Sequence, residues 1–160
     1  MHQSVMTWVK ELVRAYDLAD QSVLEVGSYN ENGSVRELFT GSYLGVDSQP
    51  GPGVDEIRDG ENLGTEQFEV VISTEMLEHC RRPWKVMEEL ARVSSHYVII
   101  TARGFDAERG AFFYHAYPYD FWRFGPDVLA NMAEDVGLMV EEFKADPQAP
   151  GWFLLATRKT

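Results

Sequence analysis

Residues 23–39 read VLEVGSYNENGSVRELF. The run Ser22–Gly27 is short, apolar and closed by glycine, which is the pattern of a strand buried on both faces. Gly27 permits a tight turn and a close approach of backbone to a ligand. Asn32 or Gly33 then opens a predicted helix carrying Val35, Leu38 and Phe39, and Gly41 ends it. Strand, glycine turn and helix start, in that order, make the first unit of a sheet layered with helices.

The flanking sequence extends the pattern. Upstream, Val5, Trp8, Val9, Leu12, Val13 and Tyr16 recur at helical spacing, predicting an amphipathic helix over 4–17. Downstream, Ser42–Asp47 reads as a second strand ending in an acid, and 49–53 (QPGPG) as loop. Val54–Arg58 reads as a short third strand and Phe68–Ser73 as a fourth. Pro83 sits as a first helical residue of a helix running to about Val93. Tyr97–Thr101 is another buried strand, and 103–125 is a long irregular stretch. Pro126 opens a helix that Gly137 stops. Leu138–Phe143 and Gly151–Thr157, split by Asp146–Pro150, read as a final antiparallel pair. Buried strands alternating with helices predict an α/β, Rossmann-like, mostly parallel sheet with helices on both faces and an antiparallel C-terminal strand. Parallel crossovers usually need a dozen or more residues. Only six residues separate Asp47 from Val54 and ten separate Ile57 from Phe68, so the second and third crossovers are expected to be abbreviated.

Composition narrows the class. The 160 residues are expected to form a single domain, 1–160. The net charge is −12, a field that repels phosphate backbones, so nucleic acid is not an expected partner. The single cysteine, Cys80, cannot form an intramolecular disulfide. The first residues, MHQSVMTWVKELVRAYD, lack the pattern of a secretory signal, and no run approaches 18 apolar residues. The expectation is a cytoplasmic chain without membrane contact, a monomer or small homo-oligomer.

In an open parallel sheet, ligands bind beyond the carboxyl ends of the strands. Those ends carry Glu25, Gly27 and Ser28, then Asp47, then Asp59, then Ser73, Thr74 and Glu75. Asp47 lies 20 residues after Gly27, where a carboxylate can accept both hydroxyls of a ribose. Glu25 adds discrimination. A carboxylate two residues before the turn disfavours a pyrophosphate and accepts an ammonium group. This favours S-adenosylmethionine over NAD.

The segments 23–39, 43–57 (YLGVDSQPGPGVDEI), 68–93 (FEVVISTEMLEHCRRPWKVMEELARV) and 117–129 (YPYDFWRFGPDVL) together resemble the class I S-adenosylmethionine-dependent methyltransferases, in particular the small bacterial and phage enzymes of the methyltransferase type 11 kind. The resemblance spans essentially the whole chain. It implies that Glu25 and Gly27 meet the methionine end of the cofactor, Asp47 the ribose, with Ser48 beside the adenine, and Asp59 the adenine. It places Ser73 and Thr74 near the sulfonium, and Glu75 and His79 beside the methyl-transfer site. The chain departs from the family pattern where its second and third glycines are Tyr29 and Glu31. Cys80 lacks the Pro-Cys context of cytosine-C5 methyltransferases. No Asp/Asn-Pro-Pro-Tyr segment follows the fourth strand, which disfavours methylation of DNA base amines.

His79, and after it His115, has the chemistry of a general base; His79 is equally suited to bonding a neighbouring carbonyl. Glu75 and Glu78 read either as site residues or as solvent-facing charges. Stretch 103–125 holds nine of the 20 aromatic side chains, and loops of that length in compact domains usually carry function. It is expected to overhang the cofactor and wall the acceptor, with Trp122 and Phe124 as packing and Arg123 facing Asp120 or an acidic substrate. The expected activity is methyl transfer from S-adenosylmethionine to a small-molecule or glycan acceptor. The alternatives are an NAD-binding oxidoreductase and a non-catalytic cofactor-binding or interaction protein.

Overall fold

The computed structural model describes residues 2–114 and 119–158. Its elements in chain order are α1 (Gln3–Ala15), β1 (Val23–Val26), β2 (Tyr43–Asp47), β3 (Glu56–Ile57), β4 (Phe68–Thr74), α2 (Pro83–Val93), β5 (Ser94–Arg103), β6 (Phe105–Asp106), β7 (Gly110–Ala111), α3 (Pro126–Asp135), β8 (Leu138–Ala145) and β9 (Gly151–Arg158). Seven strands form one sheet in the order β3-β2-β1-β4-β5-β9-β8. The pairs from β3 to β5 are parallel, and β9 runs antiparallel to both β5 and β8. This is the mostly parallel sheet with an antiparallel C-terminal strand that the sequence predicts. Strands β6 and β7 make a small separate hairpin within the stretch read as irregular.

Strand side chains alternate between two apolar layers, as the two-residue period requires. Val23, Val70, Ile72, Ile99, Phe153 and Leu155 face α1. Leu24, Val71, Val98, Ile100, Leu154 and Ala156 face α2 and α3. Helix α1 turns Val5, Trp8, Val9, Leu12 and Val13 onto the first layer. The Trp8 ring stacks on Phe153 at 4.8 Å, and its Nε1 donates to Glu142 at 2.7 Å. Helices α2 and α3 both start on proline, whose missing N–H costs nothing at a first helical position.

The structure corrects the sequence reading at the first crossover. No α-helix follows Gly33; only a 3-10 turn forms, at Arg36–Leu38. Gly33 has φ 135°, a conformation that no helix continues, and its N–H is taken by the Asn30 side chain at 2.8 Å. Val35 and Phe39 are nevertheless buried against the α1 layer. The spacing marked burial rather than helical hydrogen bonding. The second and third crossovers are loops, as expected. Strand β3 shrinks to two exposed residues at the sheet edge. The β4–β5 and β5–β8 connections carry α-helices, whereas those from β1 to β4 hold only loops and the 3-10 turn.

Candidate functional site

The carboxyl ends of β1, β2, β4 and β5 open into one cavity of about 1040 Å³. Roughly 300–1,000 Å³ is usual for a ligand pocket, so this one has room for a nucleoside-sized group and a small second molecule. Its wall includes Glu25, Gly27, Ser28, Asp47, Ser48, Thr74, Glu75 and His79. Eight of the residues read from sequence therefore share one space. A smaller cavity of about 650 Å³ between α2 and α3, lined by Trp84, Met132 and Arg158 among others, holds none of them.

Gly27 is required twice over. Its φ is +82°, and a Cβ added there would stand 2.6 Å from Met76 Cγ. Just before it, Glu25 is 5% exposed and accepts the Tyr43 hydroxyl at 2.9 Å. Burial pushes the Glu25 carboxyl up to about 7, against the opposing pull of the Tyr43 hydrogen bond. At the end of β2, the two Asp47 oxygens accept the backbone N–H groups of Tyr29 (3.3 Å) and Gln49 (3.1 Å). These bonds orient the carboxylate, and an ionised carboxylate has about four acceptor positions, so capacity for a diol is retained. Ser48 Oγ is 3.4 Å from Asp47 Oδ1. The Ser28 hydroxyl is buried in the same wall with no partner among the described residues.

At the opposite end the chain leaves β4 through Glu75, whose φ of +52° is rare for a side-chain-bearing residue. The Glu75 N–H bonds the backbone and hydroxyl oxygens of Thr101, at 2.8 and 3.1 Å, which holds that conformation. A 3-10 turn, Leu77–His79, then carries Glu78 and His79. His79 Nδ1 bonds the Tyr119 carbonyl. A carbonyl only accepts, so Nδ1 carries the proton and Nε2 is the basic nitrogen of the neutral ring.

Two predicted residues lie elsewhere. Asp59 is in a surface turn, where it bridges to Asn62 and accepts the Glu61 N–H at 2.9 Å; it does not line the cavity. Ser73 is fully buried in β4, one residue short of the wall. The second candidate base, His115, lies outside the described residues, as does Tyr117.

The charged groups of this end were not read as a set from sequence. Glu78 is not a solvent-facing charge; it is fully buried and part of the cavity wall. Arg103, at the end of β5, is 1% exposed and pairs with Glu75 at 2.6 Å and Asp146 at 2.9 Å. Its position at the carboxyl end of a buried parallel strand was the signal available for it. The aromatic stretch is tied down in part. Arg123 pairs with Asp120, as one of its two readings had it, and also donates to the carbonyls of Phe112 (2.7 Å) and Phe113 (2.9 Å). Trp122 Nε1 donates to the Cys80 carbonyl at 2.8 Å, and Phe124 enters the core. Phe112 and Tyr119 line the cavity, while Phe113 is 89% exposed. Burial raises the Cys80 thiol to about 12, which removes it as a nucleophile near neutral pH.

No family model and no curated protein sequence matches the chain. Solved structures do match it. Magnesium protoporphyrin IX methyltransferase from Synechocystis PCC 6803, with bound S-adenosylmethionine, aligns with 98% of this chain and 79% of its own at TM-score 0.69 and 16% identity. The 1,6-didemethyltoxoflavin-N1-methyltransferase of Burkholderia thailandensis, with its substrate and S-adenosylhomocysteine, aligns over the same shares at TM-score 0.77 and 14% identity. An S-adenosylmethionine-dependent methyltransferase from Clostridium acetobutylicum aligns with all of this chain and 93% of its own at TM-score 0.73 and 8% identity. The chain has the class I S-adenosylmethionine-dependent methyltransferase fold.

Proposed function

We propose that the cavity binds S-adenosylmethionine and that the chain transfers a methyl group from it to a small-molecule or glycan acceptor. The observation that carries this reading is Glu25, a buried acid two residues before a left-handed glycine, facing the cavity that Asp47 also faces. A buried acid held near 7 in that position is suited to an ammonium partner and ill suited to a pyrophosphate. Glu25 would hold the amino group, the Gly27–Ser28 backbone would pass close to the methionine end, and Asp47 with Ser48 would hold the nucleoside. Thr74, Glu75 and His79 would face the reacting end. The buried Ser28 hydroxyl without a partner is a further place for a polar ligand atom.

When bound, S-adenosylmethionine supplies an already activated methyl group, so the chain's task is mainly proximity and alignment. Phe112 and Tyr119, which line the cavity, would stand beside the acceptor. His79 Nε2 is a basic nitrogen on that wall. The fold, small size and neighbours' chemistry favour this reading over a dehydrogenase, because the β1 turn lacks the glycine spacing that cradles a pyrophosphate.

Calorimetric titration of the chain with S-adenosylmethionine, S-adenosylhomocysteine and NAD tests it. Binding of the two adenosyl ligands alone is expected. Asp47→Ala should weaken that binding about 10- to 100-fold, the worth of a charge-assisted hydrogen-bond pair. Binding of NAD alone, or of none of the three, would refute the proposal.

A further inference from the structure

Glu78 combines three properties that ordinary packing does not. It is fully buried, its side chain forms part of the cavity wall, and among the described residues no side chain donates to its carboxyl, which meets only the backbone N–H groups of Glu78 and Arg103. Buried acids in folded chains are normally paired or hydrogen-bonded, because desolvating one without a partner is costly. The turn that carries it is held fast. Phe121 and Trp122 donate their N–H groups to the Glu78 backbone carbonyl at 2.9 and 3.1 Å.

Arg103 is the neighbouring cation, and its guanidinium is committed on one side. Nη2 serves Glu75 and Asp146, whereas Nε and Nη1 are buried without a hydrogen-bond partner among the described residues. The wall therefore carries carboxyl oxygens without a side-chain donor and guanidinium N–H groups lacking an acceptor. A ligand that brings an O–H group and a second oxygen complements both. His79 differs from Glu78 in this respect, since the chain already supplies it with the Tyr119 carbonyl.

We propose that the methyl acceptor is a hydroxyl compound, that Glu78 takes its proton, and that Arg103 holds a second oxygen of the same molecule. The inference rests on the methyltransferase reading and deepens it. A neutral amine needs no base during methylation, because the ammonium product is stable in water. A hydroxyl oxygen must shed its proton as the new bond forms, since the alternative product is a strongly acidic oxonium ion. The hydroxyl lone pair becomes the oxygen–methyl bond, the electrons of the broken carbon–sulfur bond stay on sulfur, and the proton moves to a Glu78 carboxyl oxygen. Glu78 later returns that proton to water. The charged and titratable groups around Glu78 are Glu75, Arg103 and, on the adjoining turn, Cys80 and His79, with Asp146 behind Arg103. Burial pushes Glu78 up to about 7, with backbone N–H bonds and the Arg103 charge pulling the other way. Its base form therefore grows in as pH rises through neutrality.

The test uses the full chain saturated with S-adenosylhomocysteine and labelled with carbon-13 at the glutamate carboxyls. Glu78→Gln identifies the Glu78 resonance by its loss, and Glu78→Asp, which keeps a carboxyl, gives a second identification. The probes are phenol, catechol and cyclohexanol, with anisole as the matched compound lacking O–H. The resonance should titrate near pH 7 and shift with the hydroxyl probes but not with anisole. With S-adenosylmethionine, the best hydroxyl probe should be methylated at a rate that falls below pH 7. Glu78→Gln should lower kcat about 10²- to 10⁴-fold and erase that acid limb, with S-adenosylhomocysteine affinity unchanged. The limb should persist in His79→Asn. Glu78 titrating below 5, no probe moving its resonance, or Glu78→Gln turning over within threefold of wild type would each overturn the inference. Failure of the wild-type chain to bind S-adenosylhomocysteine would instead remove the cofactor reading, and this inference with it.

Discussion

Two acids close the two ends of the cavity, and their surroundings differ more than their burial. Glu25 is 5% exposed and Glu78 is fully buried, and burial pushes both carboxyls up to about 7. At the β1 end the chain itself supplies a donor, the Tyr43 hydroxyl, and a nearby cation, Arg36, that is open to water. At the β4 end the cation, Arg103, is sealed in and shared between two other acids, and among the described residues Glu78 has backbone N–H groups but no side-chain donor. Similar desolvation thus accompanies two designs. One end is completed by a side-chain donor of the chain, while the other leaves Glu78 without one and two Arg103 N–H groups without acceptors among the described residues.

The sharpest way to break the comparison is at the two cations. Arg103→Met leaves Glu75 and Asp146 without their shared partner. Removing one member of a buried ion pair typically costs about 3–5 kcal/mol, which for a chain of this length lowers Tm by roughly 6–20 °C. Thermal denaturation at pH 7 checks it, and a loss under about 1 kcal/mol would show that the Arg103 cluster does not behave as buried.

The two acids themselves predict the next largest effect. Each has a folded pKa near 7, above the ordinary 4.5. Between those values the folded chain binds more protons than the unfolded one. The stability each acid contributes is complete below about 4.5 and is lost as pH rises through 7. At most about 3 kcal/mol per acid is at stake. Denaturant titrations at pH 5 and pH 8 should show the chain less stable at pH 8. Glu25→Gln and Glu78→Gln should each remove part of that slope. A slope untouched by either would mean that the acids are better solvated than their burial indicates.

The smallest effect belongs to the exposed cation. Arg36 pairs with Asp55 at 2.8 Å, but both side chains are more than a third exposed. Arg36→Ala should cost about 0.2–1 kcal/mol at low salt and less at high salt, measured by the same denaturation. A loss as large as that from Arg103→Met would erase the distinction between the two ends.

What the sequence revealed of this site follows the same division. Glu25, Gly27 and Asp47 were readable because a glycine closing a buried strand and an acid closing the next are positional signals. Pro83 and Pro126 marked helix starts for an equally local reason. Glu78 and Arg103 were harder. A charge that is sealed inside looks, residue by residue, the same as one in water, and only the fold brings β4, β5 and the β8–β9 loop around Arg103. Asp59 and Ser73 occupied the right strand ends but went to local roles, one in a turn and one into the sheet. Val35, Leu38 and Phe39 matched helical spacing, yet Gly33 and the Asn30 side chain diverted the backbone before a helix could start.

The position of β9 has a consequence for the order in which the site is completed during synthesis. Residues 151–158 emerge from the ribosome after the other described strands, yet they insert between β5 and β8 rather than joining at an edge. Until then one side of β5 is an unpaired, apolar edge, open to mispairing with other chains. Arg103 stands in register with Gly151, and its partner Asp146 lies just upstream in the loop leading into β9. The Glu25–Asp47 end needs only residues made earlier, whereas the Arg103 end waits for the last hairpin. A chain paused before that hairpin would hold the beginnings of a cofactor site without the far wall of its cavity.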